Sequence, residues 1–353
     1  MASPSTSQSS SSPRPAGDPA ATGNDVIKTL TGVQILATGS FAPAEIVSNE
    51  DLAELGYDAE WIVQRSGIKA RRRAASHEAT SDIAAEAASN CLQAAGVAAS
   101  EVDLILLATI TPDQPTPSTA CHVQRILGCQ APALDIGAAC AGFMYAMVTG
   151  MQFIRTGTYR KVLVVAAELM SRTVDPSDKK TFPLFGDGAG AVLLGPGSDE
   201  QGLLAFTLGA DGSKADLLQI MAGGTRQPVT REVLDNNANF LHMDGRAVFK
   251  WAVRHLRDSV TKVLDFAGLS ADDLQMALFH QANIRIIDAA ADNLGIDRDR
   301  VAVNLDRYGN TSAASIPLVL DEVNREGRIN PGDLVLMSGF GAGLAWGSAI
   351  IRW

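Results

Sequence analysis

Cys140 is the residue of this chain best placed to act as a nucleophile. It ends the apolar segment ALDIGAAC and precedes the stretch AGFMYAM, which has the composition of a helix. A thiol at the start of a helix faces the positive end of the helix dipole, which lowers its pKa from about 8.5 and increases the fraction of nucleophilic thiolate. The pattern therefore predicts a reactive thiolate. The alternative is a small buried side chain, as most cysteines are.

Two polar side chains far downstream could assist such a nucleophile. His280 follows the apolar run 276–279, and Asn310 follows the run 301–305. Both stand just beyond the C-terminal end of a predicted short strand, where open α/β sheets place their reactive groups. A lone histidine at a strand end is more often structural. Cysteine, histidine and asparagine at three such junctions favour one shared active site.

The elements that carry these residues occur in two similar passes of strands and helices. The strands of the first pass begin near Val33, Leu104, Ala133, Val162 and Gly186, and those of the second near Leu203, Met276, Val301, Leu334 and Gly339. The offset stays near 170 residues and takes Cys140 onto Asn310. The last strands of the two passes, near Gly186 and Gly339, are separated by a shorter offset. The first pass is therefore predicted to contain an extra loop, at 171–185. We interpret the pattern as an internal duplication of an α/β unit.

Composition bounds the class of protein. Residues 1–28 are rich in Ser, Pro, Ala and Gly and predict a disordered polar tail, with a transit peptide as the lesser alternative. We expect two α/β halves after it, at 29–202 and 203–353. The 353 residues are 46% hydrophobic, which suffices for a large core. The net charge of −10 disfavours a general nucleic-acid binder.

Cysteine usage and hydropathy bear on the compartment. The four cysteines have no paired spacing, which argues against a disulfide framework and against a zinc site. No apolar run reaches membrane-spanning length. We therefore expect a cytoplasmic protein that binds no metal and no membrane.

Two basic clusters stand out on this acidic chain. The first contains Arg65, Lys69, Arg71, Arg72 and Arg73, and the second contains Arg246, Lys250, Arg254 and Arg257. The spacing of the second cluster places its members on one helical face. The ordinary interpretation of each cluster is a solvated surface, and the alternative is a docking site for an anionic partner or a phosphorylated cofactor.

Four motifs together resemble the β-ketoacyl-acyl-carrier-protein synthase III family. They are GAACAGF around Cys140, HQANIR from His280, GNTSAASIP around Asn310 and the C-terminal GAGLAWGSAIIR. The resemblance runs from about residue 31 to Trp353. It implies the thiolase fold, with two similar α/β halves in five αβαβα layers, usually as a homodimer.

The resemblance also implies an acyltransferase that needs no cofactor. Cys140 would take the acyl group from an acyl-CoA primer and hold it as a thioester. Malonyl-acyl-carrier protein would then lose carbon dioxide and attack the acyl-enzyme, giving 3-oxoacyl-acyl-carrier protein as the first condensation of fatty-acid synthesis. His280 and Asn310 would hold the malonyl thioester oxygen. The main-chain N–H groups of Cys140 and Ala342 would form an oxyanion hole, with Ala342 standing where the family usually has glycine.

Binding residues are carried over by the same resemblance. The CoA-binding positions are Trp61, Arg65, Lys179 and Arg285, with lysine at 179 where the family has arginine. The acyl-carrier-protein positions are Gln281, Ala282, Asn283, Ile284 and Arg285, together with Arg246 and Lys250. The acyl-pocket positions are Thr116 and Phe340. Thr116 stands where acetyl-using members often carry a phenylalanine that reaches the partner subunit's pocket, which predicts tolerance of primers longer than acetyl.

Three other functions share parts of this pattern. A type III polyketide synthase or a secondary-metabolite condensing enzyme would use the same Cys, His and Asn with a longer or unusual primer. An acyltransferase that does not decarboxylate need not keep both His280 and Asn310 in their roles. An inactive scaffold subunit would typically have lost Cys140.

Overall fold

The computed structural model describes residues 26–53 and 55–353. Its strands are β1 (Lys28–Thr31), β2 (Val33–Phe41), β3 (Glu45–Ser48), β4 (Ala70–Arg73), β5 (Leu104–Ala108), β6 (Ala133–Ile136), β7 (Val162–Leu169), β8 (Asp187–Pro196), β9 (Gly202–Ala210), β10 (Leu218–Ile220), β11 (Leu241–Met243), β12 (Met276–Phe279), β13 (Leu334–Gly341) and β14 (Ala345–Arg352). Its helices are α1 (Asn49–Ala53), α2 (Ala59–Ser66), α3 (Thr80–Ala95), α4 (Thr119–Leu127), α5 (Gly142–Arg155), α6 (Arg231–Asp235), α7 (Gly245–Ala267), α8 (Ile284–Leu294), α9 (Leu305–Tyr308) and α10 (Ser315–Arg325).

Two five-stranded sheets share one topology. The first has the order β2-β8-β7-β5-β6, and the second has the order β1-β9-β14-β13-β12. Strands β2, β8, β7 and β5 match β9, β14, β13 and β12 in both order and direction, with β7 parallel to β5 and β13 parallel to β12. The place of β6 in the second sheet is taken by Val301, which forms a single parallel bridge to Ala277. The duplicated α/β architecture expected from the sequence is confirmed.

The sheets and helices stack in five layers. Helices α5 and α10 lie between the two sheets, α3 packs outside the first sheet beside α4, and α7 packs outside the second beside α8. Helix α5 is buried along most of its length because sheets cover it on both sides. Helix α7 instead buries one face, with Trp251, Leu256 and Val263 inward, and exposes basic residues on the other. This is the αβαβα arrangement of the thiolase fold.

The loop predicted in the first half is present. Residues 170–186 connect β7 to β8, whereas only residues 342–344 connect β13 to β14. The long connection carries Leu184 and Phe185 toward the second half, where Phe185 bridges to Asn310. The extra loop therefore joins the two halves.

Two details of the sequence interpretation are corrected. The strand predicted at 301–305 is wrong, because Leu305 begins helix α9 and the N–H of Asn304 is bound by the Gln281 side chain. The offset of 170 is also wrong at the site. Equivalent helical turns begin at Ala139 and Ser312, 173 residues apart, with positive φ of 46° and 50°. The residue equivalent to Cys140 is therefore Ala313.

The polar tail predicted at 1–28 falls largely outside the described residues. Residues 1–25 are not described, so the expectation for them stays a prediction. Lys28 already begins β1, which pairs antiparallel with β9. Strand β1 thus begins at the last residue of the predicted tail. In the part of the chain that the structure describes, no helix combines the length and apolar character needed to cross a membrane.

Candidate active site

Cys140 lies in a helical turn between β6 and α5. The hydrogen bonds of this turn run from the N–H groups of Ala141 and Gly142 to the carbonyls of Ala138 and Ala139, so the turn does not use the N–H of Cys140. Strand β13 ends directly beside it. A Cβ atom on Gly341 would stand 2.6 Å from the Cys140 nitrogen, so only glycine permits this approach. The parallel strands β5, β6 and β7 all end near this point, as the duplication requires.

His280 follows β12, and a hydrogen bond fixes its ring. Nδ1 lies 2.7 Å from the hydroxyl of Ser315, the first residue of α10. Among the described residues Nδ1 is the acceptor within reach of the Ser315 hydroxyl proton, so we assign that proton to Nδ1, which leaves the ring proton on Nε2. Burial lowers the pKa of His280 to about 3, so the imidazole is neutral. Among the described residues Nε2 has no hydrogen-bond partner, and it is free to donate into the cavity.

Asn310 is held at both its main chain and its side chain. Its N–H donates to the carbonyl of Leu184 at 2.8 Å, and its carbonyl accepts the N–H of Gly186 at 3.1 Å. Its Oδ1 accepts the N–H of Ser312 at 2.9 Å. These bonds fix the amide so that Nδ2, which has no partner within the described chain, remains a donor.

The structure brings Cys140, His280 and Asn310 into one cavity. All three line it, together with Phe340 and Ala342. The ring of Phe340 meets the His280 ring edge-on at a centroid distance of 5.3 Å. The rest of the wall is largely apolar and includes Leu218, Leu241, Met243, Val248, Phe249 and Ile286. The cavity can therefore take an acyl chain beside one thiol and two hydrogen-bond donors.

A second cavity adjoins the first and is positively charged. Both cavities are lined by Leu184, Met243, Gly245, Phe249 and Asn283, and the outer one adds Trp61, Arg65, Lys180, Arg246 and Arg285. Trp61 and Arg65 are one turn apart on α2, and the guanidinium of Arg65 lies 5.7 Å from the indole centroid. Arg285 lies 5.5 Å from the ring centroid of Phe249. This outer cavity suits a phosphorylated, partly aromatic ligand.

Other predicted binding residues lie elsewhere. The ammonium of Lys179 donates to the carbonyl of Gly56 at 2.7 Å, and it is Lys180 that lines the outer cavity. Gln281 is buried, and its amide donates to the carbonyl of Phe279 at 2.7 Å, so its side chain cannot reach a partner. The residue type alone could not distinguish these orientations.

Four further positions are placed as follows. Ala282 lines the inner cavity, and Ile284 packs so closely on Gly67 that a Cβ there would meet it at 2.7 Å. Lys250 is exposed and lines neither of the two cavities. Thr116 is also exposed in the single chain and lies outside both. A role for Thr116 in the acyl pocket therefore stays a prediction that involves a second subunit.

The electrostatics of Cys140 are opposite to the sequence prediction. Burial raises the pKa of the thiol to about 12, and the negative charge of Glu168 adds to this effect. The hydroxyl of Ser312 and the N–H of Cys140 lower the pKa but do not offset burial. The loss of hydration in the closed site is the largest cause of this shift in pKa.

The sequence interpretation missed two polar residues beside the nucleophile. Glu168 is a buried carboxyl near the end of β7, and Ser312 lies between it and Cys140. A charged residue near the end of the apolar run VLVVAAEL was the available signal for Glu168. Within residues 26–53 and 55–353, no group of three or more His, Cys, Asp or Glu side chains is arranged to hold a metal ion.

Comparison with known proteins identifies the family. The model for 3-oxoacyl-[acyl-carrier-protein (ACP)] synthase III matches residues 134–212, and the model for its C-terminal part matches residues 264–353. A beta-ketoacyl-[acyl-carrier-protein] synthase III from Rhodopirellula baltica is 56% identical over 342 residues, which cover 92% of this chain and 99% of that protein. The chain belongs to the β-ketoacyl-[acyl-carrier-protein] synthase III family.

Solved structures of synthase III proteins agree. The 3-oxoacyl-[acyl-carrier-protein] synthase III of Aquifex aeolicus superimposes with a TM-score of 0.85 at 41% identity, covering 91% of this chain and all of that one. The priming β-ketosynthase of the R1128 polyketide pathway does so with a TM-score of 0.82 at 35% identity, covering 90% and 95%. As a synthase III member, the chain is an acyl-transferring condensing enzyme with the thiolase fold.

Proposed function

We propose that this chain condenses an acyl-CoA primer with malonyl-acyl-carrier protein, and that Cys140, His280 and Asn310 carry the reaction. The product is a 3-oxoacyl-acyl-carrier protein, formed as the first condensation of fatty-acid synthesis. The observation that supports this assignment is the shared cavity, in which one thiol faces two side-chain donors that have no other partner within the described chain.

The first half-reaction transfers the acyl group to Cys140. The sulfur attacks the thioester carbonyl of acyl-CoA, and the carbon–sulfur bond to CoA then breaks. The carbonyl oxygen carries negative charge in between. The N–H of Cys140, which its own turn does not use, and the N–H of Ala342 are the donors proposed to stabilise that oxygen. Since both are main-chain groups, alanine at 342 keeps the donor that glycine would supply.

The second half-reaction needs stabilisation of an enolate. When malonyl-acyl-carrier protein loses carbon dioxide, its thioester oxygen takes up negative charge. His280 Nε2 and Asn310 Nδ2 are proposed to donate to that oxygen. The neutral state of His280 fits this role, because a neutral imidazole donates without transferring its proton. The carbanion then attacks the acyl-Cys140 thioester and releases the sulfur.

The outer cavity is the proposed entry for both thioester substrates. Trp61 would stack on the adenine of CoA, and Arg65, Arg246 and Arg285 would meet phosphate groups. We propose acyl carrier protein as the macromolecular partner at the same basic rim. Lys180, rather than Lys179, is proposed as the lysine that faces the phosphates.

The proposal extends to assembly and compartment. We propose a cytoplasmic homodimer that uses no metal or other cofactor and binds neither nucleic acid nor membrane. Support for the dimer comes from Leu134, which is 43% exposed on the edge strand β6, and from the neighbouring Ile126, which is 46% exposed. An exposed apolar edge strand is a template for pairing with another chain, which we propose to be a second copy of this one.

A two-substrate assay with product read by mass tests the proposal. The full chain is incubated with an acyl-CoA and malonyl-acyl-carrier protein, and in parallel with malonyl-CoA as the extender. With malonyl-acyl-carrier protein present, we expect 3-oxoacyl-acyl-carrier protein as the product. When the extender is left out, we expect an acyl adduct on Cys140. A product formed only from malonyl-CoA, or no adduct on Cys140, would overturn the assignment.

A further inference from the structure

The proposed reaction leaves unused one buried titratable group beside the nucleophile. Glu168 in β7 is fully buried and takes part in none of the ion pairs of the described residues. Its Oε2 accepts the hydroxyls of Thr109 and Thr111, at 3.2 and 2.7 Å, and the N–H of Ile110 at 3.1 Å. Its Oε1 accepts the hydroxyl of Ser312 at 3.1 Å. A carboxyl held by four donors and no cation invites a functional explanation.

A continuous hydrogen-bonded path joins this carboxyl to the nucleophile. The thiol of Cys140 donates to Ser312 Oγ at 3.4 Å, and Ser312 Oγ in turn donates to Glu168 Oε1. The main chain of Ser312 is itself fixed, since its N–H is bound by the amide oxygen of Asn310. The order of atoms is therefore sulfur, hydroxyl, carboxylate, with every donor pointing toward Glu168.

The thiol needs such an acceptor. With its pKa raised to about 12, only on the order of 1 in 100,000 Cys140 side chains is ionised at pH 7. Burial raises the pKa of Glu168 to about 7, against the lowering effect of its hydrogen bonds from Thr111, Ile110, Ser312 and Thr109. A base with a pKa near the working pH is suited to exchange a proton during a reaction.

We propose that Glu168, acting through Ser312, accepts the proton of the Cys140 thiol as the sulfur attacks the acyl thioester. The inference rests on the proposed function and adds a positioning residue to the same site. The Ser312 hydroxyl passes its proton to Glu168 and takes the proton of the thiol, while the new sulfur–carbon bond forms. CoA leaves as a thiolate and is protonated by water.

The same path returns the proton in the second half-reaction. The carbanion attacks the acyl carbon, and the bond from that carbon to Cys140 breaks. The departing sulfur takes the proton of Ser312, which is restored by the carboxylic acid of Glu168. Each cycle therefore ends with a thiol and a carboxylate, and one proton is drawn from water for the released CoA.

Other titratable groups near Glu168 do not offer this path. Asp187 on the adjacent strand β8 pairs with Leu169, so it lies on the opposite face of the sheet, where it binds Ser171 and feels the charge of Arg172. From β12, His280 faces the cavity as a neutral imidazole bound to Ser315. Cys140 is the titratable group that Ser312 connects to the carboxyl.

Alkylation of Cys140 by iodoacetamide tests the relay without acyl-CoA or carrier protein. The rate is measured from pH 5 to 10 on the full chain, with modification of the Cys140 peptide read by mass. For the unaltered protein we expect a rise centred near pH 7, where Glu168 ionises. Both Glu168→Gln and Ser312→Ala are expected to lose that rise, with a rate at pH 8 lower by roughly 100-fold.

Electrostatics without a relay predicts the opposite sign for one variant. Because the charge of Glu168 raises the pKa of the thiol, its neutralisation in Glu168→Gln would then speed alkylation. Ser171→Ala is the matched control, since it removes a partly buried hydroxyl from Asp187, another buried carboxyl of the same sheet, and should leave the profile unchanged. Circular dichroism and the melting temperature verify folding. Ser312→Ala keeps the carboxyl and tests the path if Glu168→Gln does not fold.

The outcomes separate the relay from the proposed function. A rise near pH 7 that persists in folded Glu168→Gln or Ser312→Ala would overturn the relay and leave the condensation assignment intact. A protein with the expected alkylation profile that forms no 3-oxoacyl product would overturn the assignment and leave the relay intact.

Discussion

At the scale of single residues, the site divides into a nucleophile and two hydrogen-bond donors with separate duties. In the proposed mechanism Cys140 holds the acyl group, and the donors of His280 and Asn310 act in the decarboxylation step. Cys140 and His280 follow parallel strands, β6 and β12, at the edge where those strands end. Asn310 follows helix α9, and its main-chain hydrogen bonds to Leu184 and Gly186 hold it beside them. The two half-reactions should therefore respond differently to substitution.

Asn310→Ala removes one of the two proposed enolate donors. We expect condensation with malonyl-acyl-carrier protein to fall by roughly 100- to 1000-fold, because a preorganised donor contributes about 3 to 4 kcal/mol to the transition state. Acylation of Cys140 by acyl-CoA, measured by mass on the isolated half-reaction, should persist. Equal losses in both half-reactions would contradict the division of roles. His280→Ala should repeat the pattern.

Gly341 permits the contact between β13 and Cys140. In Gly341→Ala the added methyl would lie 2.6 Å from the Cys140 nitrogen, so the strand or the turn must shift. We expect loss of Cys140 acylation and a lower melting temperature, since displacement of a tight backbone contact typically costs on the order of 1 to 3 kcal/mol. Ala342→Gly is the comparison, because it restores the residue usual in the family and should retain acylation. Unchanged acylation in Gly341→Ala would refute this account.

At the scale of elements, apolar runs predicted strands correctly where both faces of the strand are buried, and the loop predicted at 171–185 is also present. Strand β5 begins at Leu104, as predicted, and its uniform apolar run reflects the burial of both of its faces. The run at 301–305 is also mostly apolar, yet it forms one bridge and then a helix. The N–H of Asn304 donates to the Gln281 side chain instead of to a neighbouring strand. The positions of Cys140 and His280 were predictable from strand ends, whereas Asn310 is held by a loop and a short helix. The raised pKa of the thiol was not predictable, because burial is a property of the assembled layers.

The loop between β7 and β8 supplies a test of side-chain direction. Lys180 lines the outer cavity, and Lys179 instead donates to the carbonyl of Gly56. We expect Lys180→Ala to raise the KM for acyl-CoA about 5- to 20-fold with little change in kcat, as for a lost phosphate contact of 1 to 2 kcal/mol. Lys179→Ala is the matched control and should leave this KM unchanged. Steady-state kinetics are measured on both variants. If only Lys179→Ala altered the KM, Lys179 rather than Lys180 would be the residue that contacts the phosphates.

At the scale of the whole molecule, the single chain leaves one predicted feature of the acyl pocket outside its own cavity. Thr116 is exposed and does not line the cavity, whereas Phe340 does. If two copies pair, Thr116 of the partner subunit could complete the pocket, and its small side chain would leave room for a longer primer. Assembly and primer choice are thus one question.

A mixed dimer answers it. Thr116→Phe should lower turnover of medium- and long-chain acyl-CoA primers by at least about 10-fold relative to acetyl-CoA, because a phenyl ring fills the space that an extended chain requires. The decisive sample pairs an inactive chain, carrying both Cys140→Ser and Thr116→Phe, with an unaltered chain bearing a separable tag. Primer preference should shift toward acetyl-CoA although the only working site belongs to the unaltered chain. A mixed dimer with the primer range of the unaltered protein would show that Thr116 does not enter the partner subunit's acyl pocket. A chain that remains monomeric at assay concentration would rule out a pocket shared between subunits.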